Sequence, residues 1–471
     1  MKKYFAFAAM ALVAAMNFSC SENDNGKFTI TDESGNQYPV GVVATFEGKV
    51  GTQATLAIGV YDRFDIYGVD FGDGNIITDT VCFENGGLRG EDGGEQPGTT
   101  HTRTTEFKGT VSGKGIVRVF GKSDMWTLGI TGLMPTTFYE PSMVGLHELK
   151  ISSVDIESLS LPAFESLTLL SISNCPVKSV NVSNQAALTS LSIIHTSTSA
   201  YNESPLASID VSQNKELTSI TLGSSFYKPG ILTSVDLSNN TKLETIVVSN
   251  NKLKSITLPE GAEINQLSLD KNELTAIDLS KIGSLKSIQV NDNKLSSLDL
   301  SKMVEASRVN FYASNNELTE LEIPVAVYNC EAQNNKLTKF SVKDASYSCK
   351  LENNALTIAT LPVKPASLNT NAKKKRFTYN PQADMEVTPA GAVVDLSAQA
   401  KAQGELTEEV ATTYTVKAGD ATLVADTDYT IADGKITFLK SQKGVVVEMT
   451  TTAFPKLTAL KTKAFDVTVA E

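Results

Sequence analysis

The sequence contains little of what enzymes and metal sites usually need. Its three histidines, His101, His147 and His195, lie far apart in 471 residues, and no His-Glu-x-x-His, Gly-x-Ser-x-Gly or Cys–His pattern occurs. The segment 109–115 has the wrong glycine spacing for a phosphate-binding loop. We therefore expect no catalytic residue, no metal site and no cofactor.

Positive charge is also scarce. The formal net charge is −12, and loss of Lys2 and Lys3 with a signal peptide would lower the basic residues from 41 to 39 against 53 acidic ones, giving −14. Phosphate backbones and anionic lipid surfaces repel such a chain. The net charge therefore argues against nucleic acid and anionic membrane as direct ligands.

Cysteine is too rare for a disulfide-rich scaffold. Beyond Cys20 the chain has only Cys82, Cys175, Cys330 and Cys349. Hydrophobic residues make up 41% of the chain, which is enough for packed cores, and the length suggests about three domains of ~150 residues.

Hydrophobic runs long enough to span a membrane are absent from the N-terminus. Lys2 and Lys3 precede a short apolar stretch, 5–16, which is typical of a signal peptide. A small residue directly before Cys20 resembles the lipobox of bacterial lipoproteins. That resemblance implies removal of residues 1–19 and lipidation of Cys20; the alternative is an ordinary signal peptide followed by a free cysteine.

The polar segment 20–26 predicts an acidic tether. It resembles the export signal of Bacteroidetes lipoproteins. This resemblance implies an outer-membrane lipoprotein with a lipid anchor, exposed at the cell surface.

A repeat of about 21 residues runs from about 167 to 368. Segments 246–253, 267–274 and 288–295 share the pattern L-x-L-x-x-N-x-L, which is the signature of a leucine-rich-repeat solenoid. One coil cannot bury its apolar face alone, so neighbouring coils must stack.

The repeated asparagine predicts a structural role. It falls where the chain turns inward, and its carboxamide can pair with peptide groups there. Stacked coils would align these side chains in a ladder: Asn251, Asn272, Asn293, Asn316, Asn335 and Asn354. Cys175, Thr196 and Ser225 take the position in early repeats, and the second half of many repeats has the pattern L-D-L-S.

Together these patterns resemble leucine-rich-repeat surface proteins of Bacteroidetes and, more loosely, internalins. The resemblance covers about 200 residues. It implies a solenoid whose partner is a protein, with a host extracellular protein as one expectation.

The segments on either side of the repeats predict β-modules. In 27–135, the segment 69–74 resembles the W-D-F-G-D-G signature of PKD-type immunoglobulin-like sandwiches, with Val69 in place of the Trp. Asp70, Asp73 and Asp79 favour turn carboxylates over a calcium site, and we expect Trp126 in this module's core. Asp426 and Asp428, in the C-terminal module, favour turn carboxylates in the same way.

The predicted fold class is mainly β: a leucine-rich-repeat solenoid flanked by two β-sandwich (Ig-like) domains. The predicted boundaries are 27–135, 136–370 with an N-terminal cap, and 371–471. The basic run 371–376 favours a linker or end cap over a ligand patch.

Cys330 and Cys349 occupy the same inward position in consecutive repeats. Parallel strands are close enough for a disulfide. Side chains in register point the same way, however, so two stacked thiols are favoured over a bridge.

Ligand binding is expected on the outward side chains of the repeat strands, because protein interfaces favour Tyr, Trp and Arg anchors; the alternative is that this face only keeps the protein soluble. The best cluster contains Tyr312, Glu331, Gln333, Lys350 and Glu352. The other candidate is the loop edge at 197–205 and 224–230, which carries Tyr201, Phe226 and Tyr227.

Three functions remain after these exclusions. A non-enzymatic surface lipoprotein that binds a protein partner in adhesion or host interaction is favoured, by analogy of fold. Glycan binding in nutrient acquisition is the alternative, which the scarcity of exposed aromatic residues on the strand face disfavours. An enzyme ranks third.

Overall fold

The computed structural model describes residues 28–31, 37–60, 65–81, 104–121, 125–138, 145–195, 205–224, 229–282, 285–303, 309–369 and 376–470. The predicted signal segment, Cys20 and the tether lie outside these ranges. The chain forms two compact units, 1–262 and 263–471. Among the described residues, helix is limited to two short 3-10 turns, Ala366–Asn369 and Ser397–Gln399, and neither could cross a membrane.

The first unit begins with antiparallel strands. They are β1 (Phe28–Thr31), β2 (Gln37–Glu47), β3 (Gln53–Val60), β4 (Asp65–Asp70), β5 (Ile76–Val81), β6 (Thr105–Thr110), β7 (Ile116–Gly121), β8 (Met125–Thr131) and β9 (Met134–Phe138). One sheet has the order β1-β2-β7-β4-β5, with β9 also paired to β2, while β6-β3-β8 are neighbours in a second sheet.

The turn between β4 and β5 is organised by a buried carboxylate. Asp70 Oδ1 accepts the backbone N–H of Gly72 at 2.7 Å and of Gly74 at 3.0 Å. Gly72 has φ +102°, and a Cβ there would lie 2.5 Å from the carbonyl oxygen of Ser112. Only glycine fits at position 72, and this explains why the Asp-Phe-Gly-Asp-Gly segment has a glycine there.

The repeats of the first unit form parallel strands joined by short turns. They are β10 (Glu148–Ser152), β11 (Ser158–Ser160), β12 (Leu169–Ser173), β13 (Ser179–Asn181), β14 (Ser190–Ile194), β15 (Ser219–Gly223), β16 (Ser234–Asp236), β17 (Thr245–Val247) and β18 (Ser255–Thr257). Register places Leu149 opposite Leu170 and Leu170 opposite Leu191, all buried. This stacking of aliphatic side chains confirms the predicted solenoid.

The solenoid sheet already starts in the N-terminal module. β10 pairs in parallel with β8, with Leu149 opposite Leu128. β8 therefore supplies the hydrogen-bonding partner that the first coil would otherwise lack. The predicted boundary at 135/136 stays a prediction, although the sheet continues across it.

The second unit continues the repeat with β19 (Gln266–Ser268), β20 (Ser287–Gln289), β21 (Val309–Tyr312), β22 (Glu320–Glu331), β23 (Lys339–Lys350) and β24 (Arg376–Thr378). These strands are neighbours in that order and run parallel. Phe311, Cys330, Cys349 and Phe377 lie opposite one another and are buried.

The repeated asparagines are buried: Asn251 lies in the first unit, and the other five form a row in the second. All six are at most 8% exposed. Asn293 is representative: its Nδ2 donates to the carbonyl oxygens of Leu269 at 3.0 Å and Val290 at 3.2 Å, and its Oδ1 accepts the N–H of Leu274 at 3.0 Å. Asn316, Asn335 and Asn354 likewise bond to peptide groups of their own coil and of the preceding one.

Two other residue types take the position of this asparagine, Cys175 in the first unit and Gln382 in the second. Cys175 Sγ lies 3.3 Å from the carbonyl oxygen of Ser173 and 3.5 Å from the nitrogen of Val154. Gln382 Oε1 accepts the N–H of Leu356 at 3.0 Å, and its Nε2 donates to Leu351 O at 2.8 Å. Thr196 and Ser225 lie outside the described residues.

A second buried polar row lies at the opposite turn of the early coils. Gln185, Asn214 and Asn240 are 0% exposed. Asn240 Nδ2 donates to the carbonyl oxygen of Val211 at 3.0 Å and of Asn214 at 2.9 Å. The equivalent positions of later coils hold Ile282 and Met303, so apolar packing replaces hydrogen bonding there.

The L-D-L-S pattern produces exposed turns. Asp236 Oδ1 accepts the N–H of Ser238 at 2.9 Å, and Asp210, Asp278 and Asp299 make the same contact. Asn181 does so in an earlier coil. The backbone N–H of Ser238, followed by its hydroxyl, lowers the pKa of Asp236.

The second unit ends in antiparallel strands. They are β25 (Val393–Asp395), β26 (Lys401–Ala402), β27 (Val410–Ala411), β28 (Thr413–Ala418), β29 (Ala421–Thr422), β30 (Tyr429–Ala432), β31 (Lys435–Phe438), β32 (Gln442–Thr450), β33 (Leu460–Lys461) and β34 (Phe465–Val467). The sheets have the orders β25-β31-β30, β26-β27 and β29-β28-β32-β33, with β34 on β32. The Ig-like assignments stay predictions.

This module is attached to the last coil by a cluster of partly buried hydrogen bonds and ion pairs. The Tyr379 hydroxyl donates to Glu405 Oε1 at 2.8 Å, and Glu405 also pairs with Lys364 Nζ at 3.3 Å. Ala359 N donates to Gln399 Oε1 at 2.9 Å. β24 pairs with β23 and so extends the solenoid sheet beyond residue 370. The predicted boundary between residues 370 and 371 stays a prediction.

Replacing one ladder carboxamide should destabilise the fold. Asn293→Leu leaves buried peptide groups without partners, so we expect a loss of about 1–3 kcal/mol of unfolding free energy, measured by chemical denaturation. The exposed Asn239, changed to Leu, is the matched control and should have little effect. Equal stability of Asn293→Leu and the unmodified protein would contradict the ladder's role.

The Asp–Ser turns should make stability depend on acid. Because the folded pKa of these aspartates is lowered, their contribution is present above the unfolded pKa of about 3.9 and is lost as pH falls through the folded value. Asp236→Asn keeps the acceptor but not the charge. Its stability deficit in urea should therefore be measurable at pH 7 and shrink toward zero near about pH 2; a deficit that is the same at both pH values would contradict this explanation.

Candidate functional site

The structure brings the predicted ligand-binding residues together on the solvent side of one sheet. Register places Tyr312 opposite Glu331 and Glu331 opposite Lys350. Gln333 and Glu352 follow two residues later on neighbouring coils, so strand alternation puts them on the same side. We call these five residues the strand-face cluster.

The charges in this cluster are largely paired. Lys350 Nζ lies 2.6 Å from Glu331 Oε1, and the two side chains are 27% and 23% exposed. Such a half-buried, charge-assisted hydrogen bond fixes both side chains. Among the described residues, Gln333 Oε1 and Glu352 Oε2 are buried atoms without a hydrogen-bond partner.

A row of neutral polar side chains borders the cluster, which sequence analysis did not predict. Asn329 Nδ2 donates to Asn310 Oδ1 at 3.0 Å and to the Tyr312 hydroxyl at 3.1 Å. Ser348 Oγ donates to Asn329 Oδ1 at 2.8 Å. In the sequence, these side chains occupy the position directly before the first inward residue of each repeat. That position could have identified the row.

Two tyrosines stand beside this row. Tyr328 and Tyr347 stack with ring centroids 5.1 Å apart and an interplanar angle of 16°. Tyr328 is 44% exposed. Sequence analysis missed both residues because it considered only the two regular outward positions of each strand.

The turn after each strand adds an exposed row of amides. Asn315, Asn334 and Asn353 have φ between 55° and 58°. Asn334 Nδ2 donates to Asn315 Oδ1 at 2.7 Å, and Asn353 repeats the contact on Asn334. Asparagine tolerates this left-handed backbone better than most residues, which explains the Asn-Asn doublets.

Another row of hydrogen-bonded side chains on the same face begins at Asp270. Asp270 Oδ1 accepts the backbone N–H of Asn291 at 3.0 Å and its Nδ2 at 2.9 Å. Asn291 Oδ1 in turn accepts the Ser314 hydroxyl at 2.7 Å. Burial raises the pKa of Asp270, and the hydrogen bonds from Asn291 oppose that rise.

Cys330 and Cys349 lie on the inner side of the strands that carry the cluster. Both are free, buried thiols in register with each other. A hydrogen bond with Cys349 and burial both raise the pKa of Cys330. A neutral buried thiol is a poor nucleophile, so this pair packs rather than reacts.

Other candidate residues are placed away from any site. Trp126 does not lie in the core of the N-terminal module, which corrects the prediction: it is half-buried and stacks on His147, with ring centroids 3.4 Å apart. The loop edge at 197–205 and 224–230 lies mostly outside the described residues, as do Tyr201, Phe226 and Tyr227.

The acidic turns show no ligand set for a metal. Asp73 accepts the N–H of Asn75 at 2.9 Å, and Asp428 accepts that of Val424 at 2.9 Å. Asp70 is occupied by its turn and by Arg118 Nη1 at 3.7 Å. Within the described ranges, no group of three or more His, Cys, Asp or Glu side chains could hold a metal ion.

His195 is the buried histidine of the first unit. It is 4% exposed. Burial lowers its pKa. The ring is therefore held neutral, and this side chain contributes packing rather than proton transfer.

Two solved structures resemble parts of this chain. The functional domain of InlJ from Listeria monocytogenes, which includes a cysteine ladder, has a TM-score of 0.40 and 16% identity over 71% of this chain and 78% of that one. The leucine-rich repeat domain of APL1B has a TM-score of 0.30 and 20% identity over 45% of this chain and 71% of that one. No family profile and no curated protein matches the sequence.

Proposed function

We propose that this protein is a non-enzymatic surface lipoprotein that binds a protein partner through the strand-face cluster. The observation that carries the proposal is the aligned row Tyr312, Glu331 and Lys350, held in register by β21, β22 and β23. Tyr312 is a residue type that protein interfaces favour as an anchor, and the Glu331–Lys350 pair is fixed beside it.

The rigidity of this face supports the proposal. Side chains that are already bonded to one another lose little conformational entropy when a partner docks. Asn329 holds the Tyr312 hydroxyl, and Lys350 holds Glu331. The face is thus organised before binding.

The cellular setting of the proposal comes from the N-terminal sequence. A lipid on Cys20 would anchor the chain to the outer membrane, and segment 20–26 would direct it to the cell surface. The partner would then be an extracellular protein, with adhesion or host interaction as the role. The net negative charge favours a basic partner, because opposite charges speed association.

Binding to purified proteins tests this function. The chain from residue 26 onward is presented to a panel of extracellular matrix and serum proteins in biolayer interferometry. Tyr312→Ala and Lys350→Met should each weaken the observed complex at least about tenfold, because each removes an anchor or leaves Glu331 unpaired.

Lys336→Met is the matched control, because Lys336 makes a similar ion pair with Glu317 at 2.8 Å but follows the ladder asparagine instead of facing outward on the strand. It should leave affinity unchanged. A complex that survives both strand-face substitutions, or the absence of binding to any protein in the panel, would contradict the proposal.

A further inference from the structure

The hydroxyl of Tyr312 accepts a hydrogen bond from a neighbouring amide whose own bonds are all made within the protein. Asn329 Nδ2 donates to Asn310 Oδ1 at 3.0 Å and to the Tyr312 hydroxyl at 3.1 Å. Asn329 Oδ1 accepts the Ser348 hydroxyl at 2.8 Å. Both hydrogens of the amide nitrogen are therefore used, and its oxygen is occupied as well.

These three contacts hold the Asn329 amide in one orientation. A rotation that exchanged its oxygen and nitrogen would place Asn329 Oδ1 against Asn310 Oδ1, and two acceptors cannot bond to each other. Ser348 is 3% exposed, so the bond from its hydroxyl is also shielded from water. The nitrogen of Asn329 thus stays directed at Tyr312.

The acceptor role leaves the hydrogen of the Tyr312 hydroxyl without a partner in the protein. A phenol hydroxyl carries one donor hydrogen besides its acceptor lone pairs. Among the residues that the structure describes, no oxygen or nitrogen accepts that hydrogen. Glu331, which lies opposite Tyr312 in the strand register, is paired with Lys350 at 2.6 Å instead. Because bonds in a chain polarise one another, accepting from Asn329 makes this hydroxyl a stronger donor.

We propose that Asn329 positions the Tyr312 hydroxyl as a hydrogen-bond donor to a neutral carbonyl oxygen of the bound protein. This inference rests on the proposed protein binding by the strand-face cluster. A neutral carbonyl fits better than a carboxylate, because Glu331 and Glu352 outnumber Lys350 in the cluster. Proteins offer such oxygens in their main chain and in their Asn and Gln side chains. Asn329 acts through Tyr312 and is a positioning residue.

Substitutions at the two positions test this role. The chain from residue 26 onward is measured by biolayer interferometry on immobilised fibronectin, laminin, collagen and fibrinogen. Tyr312→Phe removes only the hydroxyl and should weaken the complex about three- to tenfold, the effect of one neutral hydrogen bond. Asn329→Asp supplies an acceptor that takes the Tyr312 hydrogen, so it should weaken the complex to a similar extent. In the double variant the two losses should not add, because both remove the same bond.

Asn310→Asp is the matched control for charge. It places the same negative charge in the neighbouring coil and keeps an acceptor for Asn329 Nδ2. Asn329→Asp should therefore weaken binding about three- to tenfold more than Asn310→Asp does. Equal losses in the two variants would attribute the effect to charge and overturn the proposal. Chemical denaturation establishes that each variant is folded.

A spectroscopic readout separates positioning from a merely structural role. The tyrosine doublet in ultraviolet resonance Raman spectra responds to whether the phenol hydroxyl donates or accepts a hydrogen bond. Subtracting the spectrum of the matching Tyr312→Phe variant isolates the signal of residue 312. The signature of a strong donor should appear in Asn329→Asp, where the new carboxylate takes the hydrogen. A strong donor signature already present in the unmodified free protein overturns the proposal.

The outcomes at position 312 distinguish this inference from the function on which it rests. Unchanged binding of Tyr312→Ala, or no binding to any immobilised protein, contradicts protein binding through the cluster and this inference with it. Weakened binding of Tyr312→Ala together with full binding of Tyr312→Phe leaves the protein-binding function standing and overturns only the donor role.

Discussion

A buried carboxamide at the same turn of successive coils is the interaction on which this structure depends. The chain must bend inward after each strand, where peptide groups are removed from water. Asn316 shows the solution: it donates to the carbonyl oxygen of Val290 in the preceding coil and to that of Ala313 in its own, and it accepts the N–H of Leu295. One side chain thus pairs groups from two coils, and this fixes the register between them.

The register between coils also fixes the positions of the side chains on the surface. Because the coils cannot slide, Tyr312, Glu331 and Lys350 stay opposite one another. The register shifts between Val327 and Asn329, and this shift leaves the Tyr328 ring outside the regular alternation of the strand. The regular rows define the strand-face surface proposed for binding.

Much of the scaffold was predictable because its constraints repeat. The asparagines Asn251 to Asn354 follow a period that the sequence displays directly. Gln382 was overlooked, although Phe377-x-Tyr379-x-x-Gln382 follows the same pattern with a longer amide, because a basic run interrupts the repeat before it. Conserving the hydrogen-bonding chemistry mattered more than conserving the residue type.

The candidate site was predictable only in part. Strand alternation placed the strand-face cluster, but the Lys350–Glu331 pair and the buried oxygen of Glu352 depend on side-chain conformations that no pattern encodes. The tyrosine pair depends on a bulge, which breaks the two-residue period used to assign faces. Trp126 was placed wrongly because a lone tryptophan in a β-module is usually buried, whereas here it stacks on His147.

Amide hydrogen exchange tests the central role of the carboxamides most directly. The N–H groups of Leu274, Leu295, Leu318 and Leu337 each donate to the Oδ1 of a ladder asparagine. If the ladder seals the coils, these amides exchange only when the unit unfolds as a whole, as slowly as those of the buried strands. Exchange as fast as that of an exposed turn residue such as Asp420 would contradict the account.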